Sequence, residues 1–204
     1  MKSFQSISLV AVLLLMLQPL SYGVEEAAKE TVDPVMAEKM EKMKLLMEPT
    51  ENHKVLEIFA GKWVYTGKFW MTPEATAQDM TGTAENAMIF DGRFLKQEFE
   101  GPWMGKLFKG LGFTGYDNVK EEYVTVWLDS VGTGLMTSAG QYDSVTQTLN
   151  QSGSNSCPLT GEKARPGRSE WIVVDQDHNT YRSYAFGPDG KEFKAMEISY
   201  TRVP

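Results

Sequence analysis

The chain reads as an all-β protein: an antiparallel up-and-down barrel of about ten strands, preceded by one or two short helices. Three observations predict it. Between residues 61 and 202, short runs of alternating apolar and polar residues are separated by turn residues such as Asp91-Gly92, Asp177-His178-Asn179 and Gly187-Pro188-Asp189-Gly190. No helical periodicity interrupts those runs, so each strand pairs with the next. A meander of that many strands hides its edges most simply by closing on itself, with a two-sheet sandwich as the alternative.

Residues 1–23 come first and read as an export leader. Lys2 supplies a positive start, an apolar run extends from Ile7 to Leu17, and Ser21-Tyr22-Gly23 offers small residues for cleavage. The run is too short to span a bilayer comfortably. The expectation is therefore an exported protein, periplasmic or extracellular, with no stable membrane insertion once the leader is removed. Residues 24–49 form a linker and one helix. Asp33-Pro34 is an N-cap followed by Pro in the first turn. Met36, Met40, Met43 and Met47 then fall on one stripe, which suggests that the helix covers an apolar patch of the barrel. Pro49 stops the helix. Thr50 caps a second, shorter one through His53, Leu56 and Phe59, ending near Gly61.

Residues 50–204 are a single barrel domain, with strands expected at 61–70, 81–90, 94–100, 110–116, 123–129, 135–141, 146–152, 169–175, 180–186 and 192–202. The segment 101–110 is rich in Gly and Pro yet holds Trp103, Met104, Leu107 and Phe108. It reads as a lid over the barrel mouth or a long hairpin loop. The first strand carries Trp63 and the last ends at Arg202. A guanidinium stacked on an indole can seal a barrel end where interior side chains run out, a contact worth roughly 0.5–2 kcal/mol. Arg93 is the other candidate partner for Trp63.

Composition narrows the function classes. A net charge of −7 argues against nucleic acid, which requires clustered Lys and Arg. Cys157 is the only cysteine, so no internal disulfide is possible, and it reads as incidental because no His or helix start lies nearby. The two histidines, His53 and His178, are far apart in sequence and do not make a metal set; no metal and no cofactor, haem included, is expected. There is no Gly-x-Ser-x-Gly elbow. Asp117 and Asp129 end strands beside aromatic residues and are the only suggestive acids, though both precede turn residues. The aromatic residues Trp70, Phe94, Trp103, Phe113, Trp127 and Tyr184 are the expected lining of a ligand cavity, with His53 at its edge.

The run His53-x-x-Leu56-x-x-Phe59-x-Gly61-x-Trp63 resembles the start of a bacterial family known as domain of unknown function 1579. Asp91-Gly92-Arg93-Phe94, Gly115-Tyr116-Asp117, Trp127-Leu128-Asp129-Ser130 and Met196 through Arg202 continue the match in order. The resemblance covers roughly residues 50–202 and implies a lipocalin- or calycin-like barrel and an exported protein, with no activity attached. Three function classes follow: a barrel that binds a small apolar or amphipathic ligand, an enzyme using a buried carboxylate or His in the same cavity, and a structural or partner-binding protein with a filled barrel. The first is the preferred reading.

Overall fold

A computed structural model describes residues 33–187 and 189–204; the leader and the first part of the linker lie outside the described residues. Helix α1 (Pro34–Met47) is capped by Asp33, whose Oδ1 accepts the Val35 N–H at 3.0 Å. Helix α2 (Glu51–Val55) runs into a 3-10 turn, Leu56–Phe59. Ten strands follow: β1 (Gly61–Phe69), β2 (Gln78–Ile89), β3 (Phe94–Trp103), β4 (Lys106–Asp117), β5 (Glu122–Asp129), β6 (Met136–Asp143), β7 (Thr148–Asn155), β8 (Arg165–Val173), β9 (His178–Phe186) and β10 (Glu192–Arg202). Each pairs with the next, and β1 pairs with β10 in the register Trp63↔Arg202 through Phe69↔Met196, closing the barrel. No helix among the described residues is long and apolar enough to cross a membrane.

Three expectations change. The segment 101–110 is neither a lid nor a long loop: β3 and β4 stay paired to Trp103↔Lys106, leaving a two-residue turn of Met104 and Gly105, both at positive φ. The gap between the strands expected at 146–152 and 169–175 shrinks to 156–164, because β7 and β8 pair as far as Asn155↔Arg165. Helix α1 covers no patch of the barrel, since none of its residues is buried. Among the described residues, its hydrogen bonds to the barrel all lie at its last turn. There Asn118 Nδ2 donates to the Leu46 and Glu48 carbonyls at 3.0 and 2.8 Å, and Arg93 Nη2 to the Met47 carbonyl at 3.3 Å. These bonds satisfy carbonyls that a helix end leaves free.

The cross-strand register sorts the wall into faces. Trp63, Tyr65, Ala84, Leu95, Phe99, Thr114, Tyr123, Leu149, Trp171, Ile198 and Tyr200 point inward and are buried. Their outward neighbours are charged or polar on most strands. At one end of the barrel, Leu56 and Phe59 of the 3-10 turn are fully buried against Leu95, Tyr123, Leu149 and Trp171. This is the floor. Above it, Trp63, Tyr65, Ala84, Phe99, Ile198 and Tyr200 form a second cluster against one side of the barrel, with Met80, Phe108, Trp127 and Met196 beside them.

Candidate functional site

The floor is closed by Arg202. Its guanidinium lies 4.1 Å from the centre of the Trp63 ring. Nη1 donates to the Ala60 carbonyl at 2.6 Å and Nη2 to the Ile58 carbonyl at 2.9 Å, so the same group caps the end of the 3-10 turn. Nε donates to the Gln176 carbonyl at 3.1 Å and faces Asp177 Oδ1 at 3.3 Å. The Trp63 indole N–H donates to the Phe59 carbonyl at 3.0 Å, which the buried Asn86 amide also reaches at 2.9 Å. Gly61 sits at φ 122 with Arg202 Nη1 2.3 Å from where a Cβ would stand, so both the backbone angle and the guanidinium require glycine there. Arg93 does not share in this contact: it binds the end of α1 and bridges Glu48 at 3.2 Å.

The dryness of the floor shows in its phenols. Burial pushes the Tyr123 hydroxyl up to about 12 and, in the cluster above the floor, holds Tyr200 well above its ordinary value. Tyr123 Oη donates to the Asn52 carbonyl at 2.8 Å, tying α2 to the barrel. His53 belongs to the floor as well, not to a cavity. Its Nδ1 accepts the Thr50 N–H at 2.9 Å, taking the place that Glu or Gln holds in a capping box, and its ring meets Tyr116 edge-on. Burial is the main force that lowers its pKa, with Arg93 adding to it, against a backbone hydrogen bond at Tyr116.

Above the floor the lumen has two unlike walls. One is aromatic and sulfur-rich: Tyr65, Phe99, Phe108, Trp127, Met80 and Met196. Trp127 packs edge-on against Phe99 at 5.1 Å between ring centres, in the room left by Gly110 and Gly112. The facing wall, on β6 to β9, is made of small residues. Ser138 pairs with Gly153, Gly153 with Gly167, Gly167 with Ala185, and Ser169 with Ser183, all on the inner face. These residues are only half-buried, whereas inward positions at the floor are buried, so packing is looser in the upper half of the barrel. A polar row crosses between the levels. Thr114 donates to Gln97 Oε1 at 3.2 Å, Thr125 to Gln151 Oε1 at 3.0 Å, and the two hydroxyl oxygens are 2.9 Å apart.

Of the aromatic residues expected in a cavity, Trp103 and Trp127 take inward positions, Trp103 at the rim against Phe69 at 5.2 Å. Four do not. Phe94 and Phe113 face outward, Phe94 42% exposed and lying over Gly115. Trp70 lies one residue past inward Phe69 and meets outward Lys194 at 5.3 Å. Tyr184 is outside, stacked under Arg168 at 3.6 Å and donating to Glu170 Oε2 at 3.1 Å. The stretch around Phe113 is apolar on both faces, so alternation alone leaves its direction open, whereas Phe94 shares a face with Lys96 and Glu98, Tyr184 shares one with Arg182, and Trp70 lies past the end of β1. Phe108, Met196 and the serines were missed. Counting in twos from Trp63 across each hairpin reaches them once the register is known.

The acids are committed to turns. Asp129 Oδ1 accepts the Val131 and Gly132 N–H groups, each at 2.9 Å, and Oδ2 accepts the Trp127 indole at 3.0 Å. Asp117 accepts the Val119 and Lys120 N–H groups, and these bonds hold its pKa below the usual carboxylate value. Cys157 differs from its sequence reading. Hydrogen bonds from Thr160, with a smaller one from Arg165 whose Nη1 lies 3.3 Å from Sγ, bring the thiol down to about 7. Arg165 is brought there by the return of β8. Cys157 edges a recess of about 150 Å³ at the rim, lined also by Asn155, Arg165, Gly167 and Ala185. Among the described residues no three His, Cys, Asp or Glu side chains are grouped to hold a metal.

Comparison with known proteins adds the fold and a family. The chain is similar to the crystal structure of Rv2717c from M. tuberculosis, with a TM-score of 0.59 and 14% identity over 77% of this chain and 100% of that one. It is also similar to the S-type phycobiliprotein lyase CPES from Guillardia theta, with a TM-score of 0.52 and 12% identity over 79% of this chain and 97% of that one. At such identities the likeness is one of fold. No curated protein sequence matches. The profile of the family described as "Protein of unknown function (DUF1579)" matches residues 48–202, from just before the α2 cap to the arginine that seals the floor, and the chain belongs to that family.

Proposed function

We propose that this chain is an exported barrel that holds a small amphipathic molecule in the upper half of its lumen. The observation that carries the reading is the pair of unlike walls above a sealed floor. An apolar ring or chain fits against Trp127, Phe99, Phe108 and Met196, while hydroxyl or carbonyl groups turn toward Ser138, Ser169 and Ser183. Concave sites with a mostly apolar lining and a few polar groups are the usual form of small-molecule sites. The charge pattern at the N-terminus supports export. Asp117 and Asp129 are spent on turn amides and His53 on a helix cap, which favours binding over acid–base chemistry.

The test uses chain purified from its own host. Native mass spectrometry should find a co-purifying small molecule, and titration of delipidated protein with N-phenyl-1-naphthylamine should raise its fluorescence saturably. Ser183→Trp, which places an indole in the small-residue wall, should weaken that binding at least tenfold while the thermal melt stays cooperative. Saturable binding equal in the Trp variant and the parent, or none in either with no co-purifying molecule, would overturn the lumen as the site.

A further inference from the structure

Helix α1 is amphipathic in spacing, yet beyond the bonds at its last turn the described residues bury none of it. Met36, Met40 and Met43 are each just over half exposed, and no residue of the helix is buried. A lone helix of 14 residues is marginal in water, and most helical stability comes from packing an apolar face. The barrel carries an unmatched surface of its own. On the outer face of β4 and β5, Leu111 pairs with Leu128 and Phe113 with Val126, and Val124 continues the row beside Gly115. Elsewhere the outside bears charges, such as Arg168, Glu170, Arg182 and Glu197 on β8 to β10. An apolar patch in a charged surface marks an interaction site.

We propose that the methionine face of α1 docks on the β4–β5 outer wall of a second copy of this chain, and that two such contacts, exchanged reciprocally, make a two-fold dimer. Dimensions agree: 14 residues at 1.5 Å rise give about 21 Å of helix, and five strand residues at 3.3 Å give about 17 Å of wall. In this structure the helix does not lie on its own wall: none of its residues is buried, and its last carbonyls are held at the floor end by Asn118 and Arg93. A second copy meets it with those bonds intact. Charge agrees too. At about 100° per residue, Lys39 and Lys44 lie roughly 70° to either side of the methionine stripe, with Glu38 and Glu41 on the far face. The wall is bordered by Glu122 and Glu98, which face Lys120 at 3.9 Å and Lys96 at 2.7 Å, while Lys44 faces Glu41 at 3.6 Å; surface pairs of this kind are worth little. Area decides the symmetry. One helix on one wall falls far short of the about 20–30 residues a side of a stable interface, and the reciprocal pair, in which each copy brings both a helix and a wall, doubles the surface. Such a contact is isologous and closes at two copies. The family match begins at residue 48, so the arm lies outside the part the family profile covers.

The experiment combines assembly and cross-linking in protein purified from its own host. Sedimentation equilibrium should give a dimer, and Met40→Glu with Met43→Glu should weaken it at least tenfold without moving the barrel's far-ultraviolet β signal. In a Cys157→Ser background, Met43→Cys protein mixed with Val126→Cys protein should give a disulfide-linked pair of one of each. A monomer at all concentrations, a Met43→Cys homodimer in place of the mixed pair, or a double-Glu variant that dimerises like the parent would each overturn the proposal.

Discussion

Protonating His53 removes the acceptor that holds the Thr50 N–H, so the floor loses a helix cap and gains a charge next to Tyr116 and Arg93. Its pKa is lowered in the folded protein, so the unfolded chain binds the proton more readily. The stability His53 contributes is therefore full above its unfolded value of about 6.5 and is lost as pH falls through the lower folded value. The expected outcome is a melting temperature that drops between pH 7.5 and 5, with a flatter profile in His53→Gln, whose amide oxygen still accepts from Thr50. An unchanged slope in that variant would remove His53 from the account. Cys157 offers a second check. With the thiol near 7, its alkylation by iodoacetamide should reach half its maximal rate near neutral pH. Arg165→Gln should move that midpoint upward only modestly, because the Thr160 bonds are the larger influence. Cys157 also shows what a linear reading misses: its partners at 160 and 165 act through the shape of a loop, and nothing in Ser-Cys-Pro announces it.

The 3-10 turn and the two strand ends that meet it act as one element. Trp63, Arg202, Gly61 and the carbonyls of Ile58, Phe59 and Ala60 are all joined there. Trp63→Ala should cost about 3–5 kcal/mol, as large aromatic deletions in a core do. Arg202→Ala should cost about 1–3 kcal/mol for its orphaned carbonyls. Arg202→Lys should recover only part of that, since an ammonium keeps the ring contact but cannot serve both carbonyls in one plane. Chemical denaturation of the three variants reads the order directly; an Arg202→Ala protein as stable as the parent would show that the ring contact and the capping bonds contribute nothing. Elements of this kind were legible in the sequence where turn chemistry was strong. Asp33-Pro34, Thr50, Asp91-Gly92 and the turns at 177 and 187 mark their boundaries well. The β3–β4 hairpin was not legible, because Gly101, Pro102, Met104 and Gly105 look like a loop until the facing strand supplies partners. The faces of β4 and β5 failed for a related cause. Tyr-Val-Thr-Val-Trp-Leu is apolar at nearly every position, so Phe113 and its neighbours fit either side of the wall equally well.

At the scale of the whole molecule, the buried aromatic residues are gathered at one end and along one side, and the small residues are left to define the rest of the interior. Barrel topology could be read from a count of strands and the absence of helices between them. The character of the interior could not, because Ser138, Gly153, Ser169 and Ser183 matter for what they leave unfilled, and residues of that kind carry no periodic signal. A broad, shallow groove of about 560 Å³ near the Met104–Gly105 turn, lined by Gly82, Gly101, Pro102 and Leu107, lies open to solvent and encloses nothing. The sheet has an even number of strands, so β1 leaves the floor and β10 returns to it. A dye, a solid support or a fused enzyme attached after Arg202 would hang from the base of the cup, leaving its aperture free to sample the surrounding liquid.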